Sequence, residues 1–154
     1  MEKILVAIDS SPASREAVNF ALELAKEHDS KVYFVHVVPE LYVVPTNGFG
    51  MVGALPRDVT DEDRKSLDDA EALAEDGGVW ARTAVVRGNV VDEIVSYADN
   101  LAVDLILVGS RGHSALANAL LGSVSRGLLS ESKRPVAIVR GAAVGSEALA
   151  AASQ

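Results

Sequence analysis

The fold is decided by residues 3–38, which read KILVAIDSSPASREAVNFALELAKEHDSKVYFVHVV. The opening apolar run, which ends at Asp9, is typical of a short buried strand. Ser11 and Pro12 predict a helix start, because Ser is a good N-cap and Pro suits the first helical position. The β-branched and aromatic run 31–38 predicts a second strand. A strand, a helix and a strand in such close succession indicate a right-handed parallel crossover.

The same alternation continues along the rest of the chain. Five strands separated by helices are typical of an α/β domain with an open parallel sheet and helices on both faces. In such sheets, ligands bind at the carboxyl ends of the strands, where the strand order reverses. The later elements are predicted as strands at 79–86, 103–108 and 135–139, and as helices that begin after Thr60, Asn89 and Gly122.

Composition narrows the class of protein further. The chain has 154 residues and a formal net charge of −8, which argues against general affinity for nucleic acid or an anionic membrane. It contains no Cys, so disulfides, zinc–thiolate sites and cysteine nucleophiles are excluded. The His residues show no metal-ligand spacing, so no metal-binding residue is assigned. There is no secretory signal and no apolar run long enough to cross a bilayer, so a cytoplasmic location is expected.

Residues 39–58 are expected to be irregular. The segment contains Pro39, Pro45 and Pro56 together with several Gly residues, although it is also apolar. Long connections without regular structure are uncommon in compact domains and are often functional. Two interpretations remain open, a surface excursion without a specific role and a lid or dimer contact.

The segment that carries chemistry is 109–125, GSRGHSALANALLGSVS. Gly109 and Gly112 allow tight turns and a close approach of the backbone to a ligand. Gly122 precedes a helix whose first N–H groups point outward at the positive end of the helix dipole, an arrangement suited to a phosphate. Arg111, the single cation of the stretch, and the hydroxyl groups of Ser residues add further donors.

Two better-known phosphate motifs do not match. A P-loop needs Gly-Lys-Ser/Thr at its second glycine, but Gly112 is followed by His113. A dinucleotide fingerprint would place glycines directly after the first strand, where this chain has Asp9 and Ser10. The phosphate site predicted here is therefore of another kind.

The pattern Gly-x2-Gly-x9-Gly-Ser resembles the ATP-binding signature of the universal stress protein family. The blocks ILVAIDSS, VYFVHVVP, DLILVGSRGHS and LLGSVSRGLLSESKRPVAIVR also resemble this family, in the family's order. The resemblance covers about residues 2–140, so a domain at 1–140 is expected, followed by an Ala-rich tail at 141–154. It implies a Rossmann-like, five-stranded parallel sheet with strand order 3-2-1-4-5. It also implies bound ATP, with Mg²⁺, and a homodimer joined through the last strand, Pro135 to Val139.

The resemblance assigns three groups of residues to the nucleotide. Those expected to contact adenosine and the adenine edge are Ala7, Asp9 and Val37. Those expected to line the ribose and phosphates are Gly109, Arg111 and Gly112. Those expected to hold the phosphates are Gly122, Ser123, Val124 and Ser125.

Simpler structural roles exist for several of these features. Asp9 is positioned to cap the first helix, and the glycines at 109 and 112 would also serve as plain turn residues. His36 lies within a strand, where a packed or hydrogen-bonded residue is expected rather than a catalyst. The carboxylates between 61 and 76 are expected to form a solvated helix face.

The leading functional hypothesis is an ATP-binding, dimeric stress-response protein that acts as a switch or sensor. A second hypothesis is a slow ATPase or an autophosphorylating enzyme. Fast phosphoryl transfer needs dense positive charge and a positioned nucleophile, whereas this segment offers one Arg, no Lys and no evident base. No catalytic residue is therefore assigned. A third hypothesis is a dimeric protein-interaction module that needs no nucleotide.

Overall fold

The computed structural model describes residues 1–44, 51–54, 57–110 and 121–141, with the backbone alone described for 41–44 and 51–54. The strands are β1 (Lys3–Ala7), β2 (Lys31–Val38), β3 (Leu41–Val44), β4 (Met51–Ala54), β5 (Ala81–Arg87), β6 (Leu105–Gly109) and β7 (Val136–Val139). The helices are α1 (Pro12–His28), α2 (Asp61–Asp76), α3 (Val90–Leu101) and α4 (Ser123–Glu131).

Five strands form one parallel sheet in the order β5-β2-β1-β6-β7. Counting only the strands of this sheet, the order is the predicted 3-2-1-4-5. Residues of α1 and α2 pack on one face of the sheet, and residues of α3 and α4 pack on the other. The predicted open α/β fold is therefore confirmed. The strand predicted at 31–38 has the expected boundaries, and those of the other predicted strands differ by at most two residues.

Strand β1 lies at the centre of the sheet and is buried on both faces. Ile4 and Val6 point into the cluster beneath α1 and α2, together with Phe34 of β2. Leu5 points into the opposite cluster, with Val35 of β2. Because side chains alternate between the two faces of a strand, a continuous apolar run is what a doubly covered strand requires.

The predicted helix starts are confirmed. The side chain of Ser11 accepts a hydrogen bond from the N–H of Ser14 at the start of α1. Thr60 and Asp63 form a reciprocal capping box at the start of α2, and Asn89 caps α3. Each cap accepts hydrogen bonds from N–H groups that would otherwise lack partners in the first turn.

The expectation of an irregular segment at 39–58 is wrong in part. Strands β3 and β4 lie inside it and pair antiparallel, with Leu41 opposite Ala54 and Val44 opposite Met51. Runs such as LYVV have high β-propensity, and the Pro and Gly residues between the two runs do not prevent pairing. In the part of the chain that the structure describes, no helix is both long enough and apolar enough to span a membrane.

Candidate functional site

The strand order reverses between β1 and β6, and the candidate site lies at the carboxyl ends of these strands. Ala7, at the end of β1, lies opposite Val108 of β6. Asp9 follows β1 directly, Gly109 ends β6, and Val37 lies near the end of the adjacent β2. The fold therefore brings together at one edge residues that are distant in the sequence.

Asp9 is held in the turn between β1 and α1. One of its carboxylate oxygens accepts a hydrogen bond of 2.8 Å from the N–H of Ser11. Its own N–H donates to the hydroxyl oxygen of Ser14 over 3.0 Å. Asp9 therefore stabilises the turn, but the helix cap that the simpler interpretation assigns to it is supplied by Ser11. The Asp9 side chain stays partly exposed at the carboxyl edge of the sheet.

Gly109 has a packing role that the sequence pattern does not reveal. A Cβ atom at this position would lie 2.7 Å from the carbonyl carbon of Ala13 and 2.9 Å from the backbone nitrogen of Ser14. Real Cβ atoms do not approach backbone so closely. The absent side chain therefore allows the first turn of α1 to lie directly against the end of β6.

The ends of the glycine-containing segment meet beside Gly109. The N–H of Gly122 donates to the carbonyl oxygen of Ser110 over 2.8 Å, and the N–H of Ser110 donates to that of Val139 over 2.7 Å. Two predicted site residues, Arg111 and Gly112, lie outside the described residues. The described ends show that the segment leaves β6 and returns to α4 at a single point of the carboxyl edge.

The start of α4 lies at this point. Its N-cap is Gly122, and among the described residues no side chain caps it. Ser123 is exposed and Val124 is partly buried, whereas Ser125 is 2% exposed and its hydroxyl donates to the carbonyl oxygen of Gly109 over 2.9 Å. Because the first N–H groups of a helix have no partner within it, the uncapped turn is suited to an anion. Ser125 contributes to such a site through its N–H group, since its hydroxyl is engaged inside the protein.

On the other side of β1 lies a partly buried ion pair that the sequence pattern does not reveal. Both carboxylate oxygens of Asp63 accept hydrogen bonds from the guanidinium of Arg57, each at 2.7 Å. Thr60 adds a backbone bond of 2.8 Å and a hydroxyl bond of 2.9 Å to the same carboxylate. The Arg57 guanidinium above all holds the pKa of Asp63 well below its usual range, although burial acts in the opposite direction.

The expectation of a solvated acidic face on α2 is therefore wrong for Asp63, which is 8% exposed. Its place in the capping box turns the side chain inward, toward the sheet. The spacing Thr60-x-x-Asp63 is a capping-box pattern and signals this local bond. Nothing in the sequence signals the partner Arg57, because the pairing depends on how the chain returns to α2.

His36 completes this group of polar residues. Its Nδ1 lies 2.8 Å from the carbonyl oxygen of Ile8, and its Nε2 lies 3.1 Å from Oδ1 of Asp63. The prediction of a hydrogen-bonded strand residue is confirmed. An open cavity of about 240 Å³ adjoins the group and is lined by Asp9, Ser10, His36, Glu62, Asp63 and Ser66.

The fold and the position of the site define a doubly wound α/β protein with a helix start at its switch point, where ligands of such sheets bind. A model of the universal stress protein family matches residues 1–140. The chain belongs to the universal stress protein family.

Individual relatives agree with this assignment. The universal stress protein YxiE of Bacillus subtilis is 38% identical over 145 residues, covering 90% of this chain and 98% of the relative. The solved structure of hypothetical protein MJ0577, from Methanocaldococcus jannaschii, has a TM-score of 0.73 at 24% identity, covering 90% of this chain and 95% of that one. A universal stress protein solved in complex with cAMP has a TM-score of 0.66 at 27% identity, with coverages of 90% and 95%.

Proposed function

We propose that this protein binds an adenine nucleotide, ATP with Mg²⁺, and acts in the cytoplasm as a nucleotide-dependent stress-response switch. The observation that carries the proposal is the uncapped start of α4 at the switch point of the sheet. The cAMP-bound relative supports an adenine nucleotide as the class of ligand. Adenine nucleotides share a base and at least one phosphate, the two parts that the site has to recognise.

In this proposal, the phosphates are held mainly by backbone groups. The N–H groups of Ser123, Val124 and Ser125 donate to phosphate oxygens, and Gly122 leaves the approach clear because it has no side chain. The resemblance to the family adds Arg111 and Gly112. Attraction of this kind is local, which explains how a chain with net charge −8 holds a polyphosphate. Mg²⁺ supplies charge neutralisation of the phosphates.

The base and sugar lie on the β1 and β2 side of the switch point. Val37 offers backbone groups to the adenine edge, and Ala7 and Asp9 contact the adenosine. Val37 and Ala7 are buried and lie on adjacent strands, so their positions do not depend on a ligand. This burial supports the choice of these two residues as adenosine contacts.

Binding to the folded state stabilises it by about 2.7 kcal/mol when the free ligand is at a hundredfold excess over Kd. A partner that recognises the liganded segment 111–121 would then respond to the nucleotide level, which is how a switch of this kind operates. The first test is thermal unfolding with millimolar ATP and Mg²⁺. A clear rise in Tm is expected, and an unchanged Tm with ATP, AMP and cAMP would overturn the proposal.

A charge substitution locates the phosphate more sharply. Ser123→Asp places a carboxylate at the uncapped start of α4, where it interacts favourably with the helix dipole and competes with phosphate. Stability without ligand is expected to rise by up to about 1 kcal/mol, while the ATP-induced rise in Tm shrinks. The matched control is Ser130→Asp, an exposed position near the other end of α4. An unchanged ATP response in Ser123→Asp would place the phosphate elsewhere.

We also propose a homodimer joined through β7. This strand ends the sheet, and its four aliphatic residues, VAIV, are each only partly buried in the single chain. An apolar strand edge of this kind pairs readily with another copy. Light scattering during size-exclusion chromatography is expected to give twice the chain mass of 16.1 kDa. A monomer at tens of micromolar would contradict the dimer without affecting the nucleotide proposal.

A further inference from the structure

The ring of His36 faces two hydrogen-bond acceptors. The carbonyl oxygen of Ile8, 2.8 Å from Nδ1, can only accept, so Nδ1 carries a hydrogen. Oδ1 of Asp63 lies 3.1 Å from Nε2 on the opposite side of the ring. Whether Nε2 also carries a hydrogen depends on the charge state of Asp63.

The surroundings of Asp63 show that its carboxylate is ionised. Its oxygens accept two bonds from Arg57 and two from Thr60, and all four donors carry hydrogens of their own. An ionised carboxylate only accepts, so the contact with His36 is a hydrogen bond only when Nε2 donates. Both contacts are hydrogen bonds only when both ring nitrogens donate, as they do in an imidazolium.

We propose that His36 acts as a protonated positioning residue that links the nucleotide site to the start of α2, so that acid favours nucleotide binding. The proposal rests on the proposed function for the identity of the ligand. The term His36 latch is used below for the group formed by Arg57, Asp63, His36 and the carbonyl of Ile8. No contact between the latch and the nucleotide is required.

The latch joins three segments next to the proposed adenosine contacts. Ile8 precedes Asp9, and its N–H also donates to Val35 of β2 over 2.9 Å. His36 precedes Val37, whose backbone is proposed to meet adenine. Arg57 precedes α2 and anchors the end of the segment that contains β3 and β4. All three proposed contacts, Ala7, Asp9 and Val37, are therefore adjacent in the chain to a residue of the latch.

The expected direction of the pH effect follows from the donors and acceptors. When the ring loses one proton, it can donate to Ile8 or to Asp63 but not to both, and a lone pair then faces the other acceptor. Among the residues that the structure describes, the charged groups near the ring are Asp63 and Glu62 of α2, Asp9 after β1, and Arg57 beyond Asp63. On the neighbouring strand β5, the residue paired with His36 is Val85, which carries no charge.

The first measurement reads the ring directly, by long-range proton–nitrogen NMR of the imidazoles. At pH 6, both nitrogens of His36 are expected to carry protons, with an Nε2 proton that exchanges with water more slowly than the ring protons of exposed His28. An Nε2 proton that is absent, or that exchanges as fast as in His28, would overturn the latch. This result does not depend on any nucleotide.

The second measurement is calorimetric titration with ATP and Mg²⁺ at pH 6 and pH 8 on the full chain, the His36→Gln variant and the His28→Gln control. Gln does not titrate and donates through a single amide group. From pH 6 to pH 8, wild-type Kd is expected to weaken about fivefold more than Kd of His36→Gln, a coupling at the low end of the usual range. The ionisation of ATP also changes with pH, but it changes Kd by the same factor for each protein, so it drops out when wild type is compared with the variants.

The outcomes separate the two proposals. Equal pH dependence in wild type and His36→Gln would overturn the coupling even if ATP binds tightly. If His28→Gln changes the pH dependence as much as His36→Gln does, the latch is likewise not responsible. Absence of ATP binding in every protein overturns the proposed function, whereas a protected Nε2 proton would still establish the imidazolium.

Discussion

The carboxyl edge of the sheet has two halves that satisfy their polar groups in different ways. On the β2–α2 half, charged and polar side chains bind one another, with Asp63 between Arg57 and His36. On the β6–α4 half, the contacts are made by backbone and small residues, with Gly109 against α1 and Ser125 bonded to the Gly109 carbonyl. The start of α2 carries a capping box, whereas no side chain in the described part of the chain caps the start of α4.

This difference indicates which half can take an anion. The β2–α2 half already holds a carboxylate at a helix start, since Asp63 occupies the position that a bound phosphate would take. The β6–α4 half presents the same helix geometry without an anion of its own. A ligand is therefore expected where the chain has left the helix start uncapped, and stability is expected to depend most on the other half.

The largest effect is expected for Asp63→Ala. This change leaves Arg57 without its carboxylate and removes the capping box of α2. The loss is expected to be about 3 kcal/mol, the lower end for a broken buried pair, because Arg57 can regain water. Urea unfolding measures it. The control Asp69→Ala, on an exposed pair with Lys65, should cost less than about 0.5 kcal/mol. Equal losses in the two variants would show that the β2–α2 half is not especially stabilising.

Gly109→Ala tests the packing of the other half. The added methyl group overlaps the backbone at Ala13, and the expected cost is about 2 kcal/mol, typical of overpacking. Gly141→Ala is a matched control on the same neighbour, since a Cβ atom there lies 3.4 Å from the Cα of Ala13, an ordinary contact. Urea unfolding of both variants should show a loss only for Gly109→Ala. A similar stability in both would mean that α1 adjusts freely.

The lowered pKa of Asp63 predicts how stability depends on pH. A carboxyl group whose pKa is lower in the folded state adds stability that is present above its unfolded value, near 4, and is lost as the pH falls below it. Between pH 7 and pH 3, wild type should therefore lose at least about 1 kcal/mol more than Asp63→Asn. Denaturant unfolding at both pH values provides the measurement. Parallel losses would show that Arg57 does not bind Asp63 in solution.

The smallest effect is expected for Ser125→Ala. It removes a buried hydrogen bond and leaves the carbonyl oxygen of Gly109 without this partner, at a cost of about 1 kcal/mol. The exposed Ser123→Ala should leave unfolding by urea unchanged. ATP affinity should change little in Ser125→Ala, because the proposed ligand contact is the N–H group. A large loss of affinity with unchanged stability would assign the hydroxyl to the phosphate instead.

Much of the fold was predictable because its signals are local. Ser11, Thr60 and Asn89 cap helices through bonds to residues three positions further on, so sequence spacing alone identifies them. The pairing of β3 with β4 does not follow from the sequence pattern. The prolines and glycines of the same segment favour irregular structure, and the two strands are short. The glycine segment was identified by its spacing, although the packing of Gly109 on Ala13 was not.

The candidate site divides in the same way. The helix start at Gly122 and its neighbours was predictable, because an uncapped first turn is a property of a few consecutive residues. The group of Arg57, Asp63 and His36 was not predictable, because its members belong to a connection, a helix and a strand. Their meeting depends on the position of α2 above the carboxyl end of β2.

The sequence by itself determined the alternation of strands and helices, the helix caps and the start of α4 after Gly122. These features depend on the spacing of hydrophobic residues and on hydrogen bonds between residues a few positions apart, so the local sequence is enough to predict them. Only the tertiary structure decided that a carboxylate of α2 is buried with Arg57 and His36, and that Gly109 is needed for the packing of α1. Such contacts join residues far apart in the chain, and their energies arise from burial and close approach that no local pattern encodes.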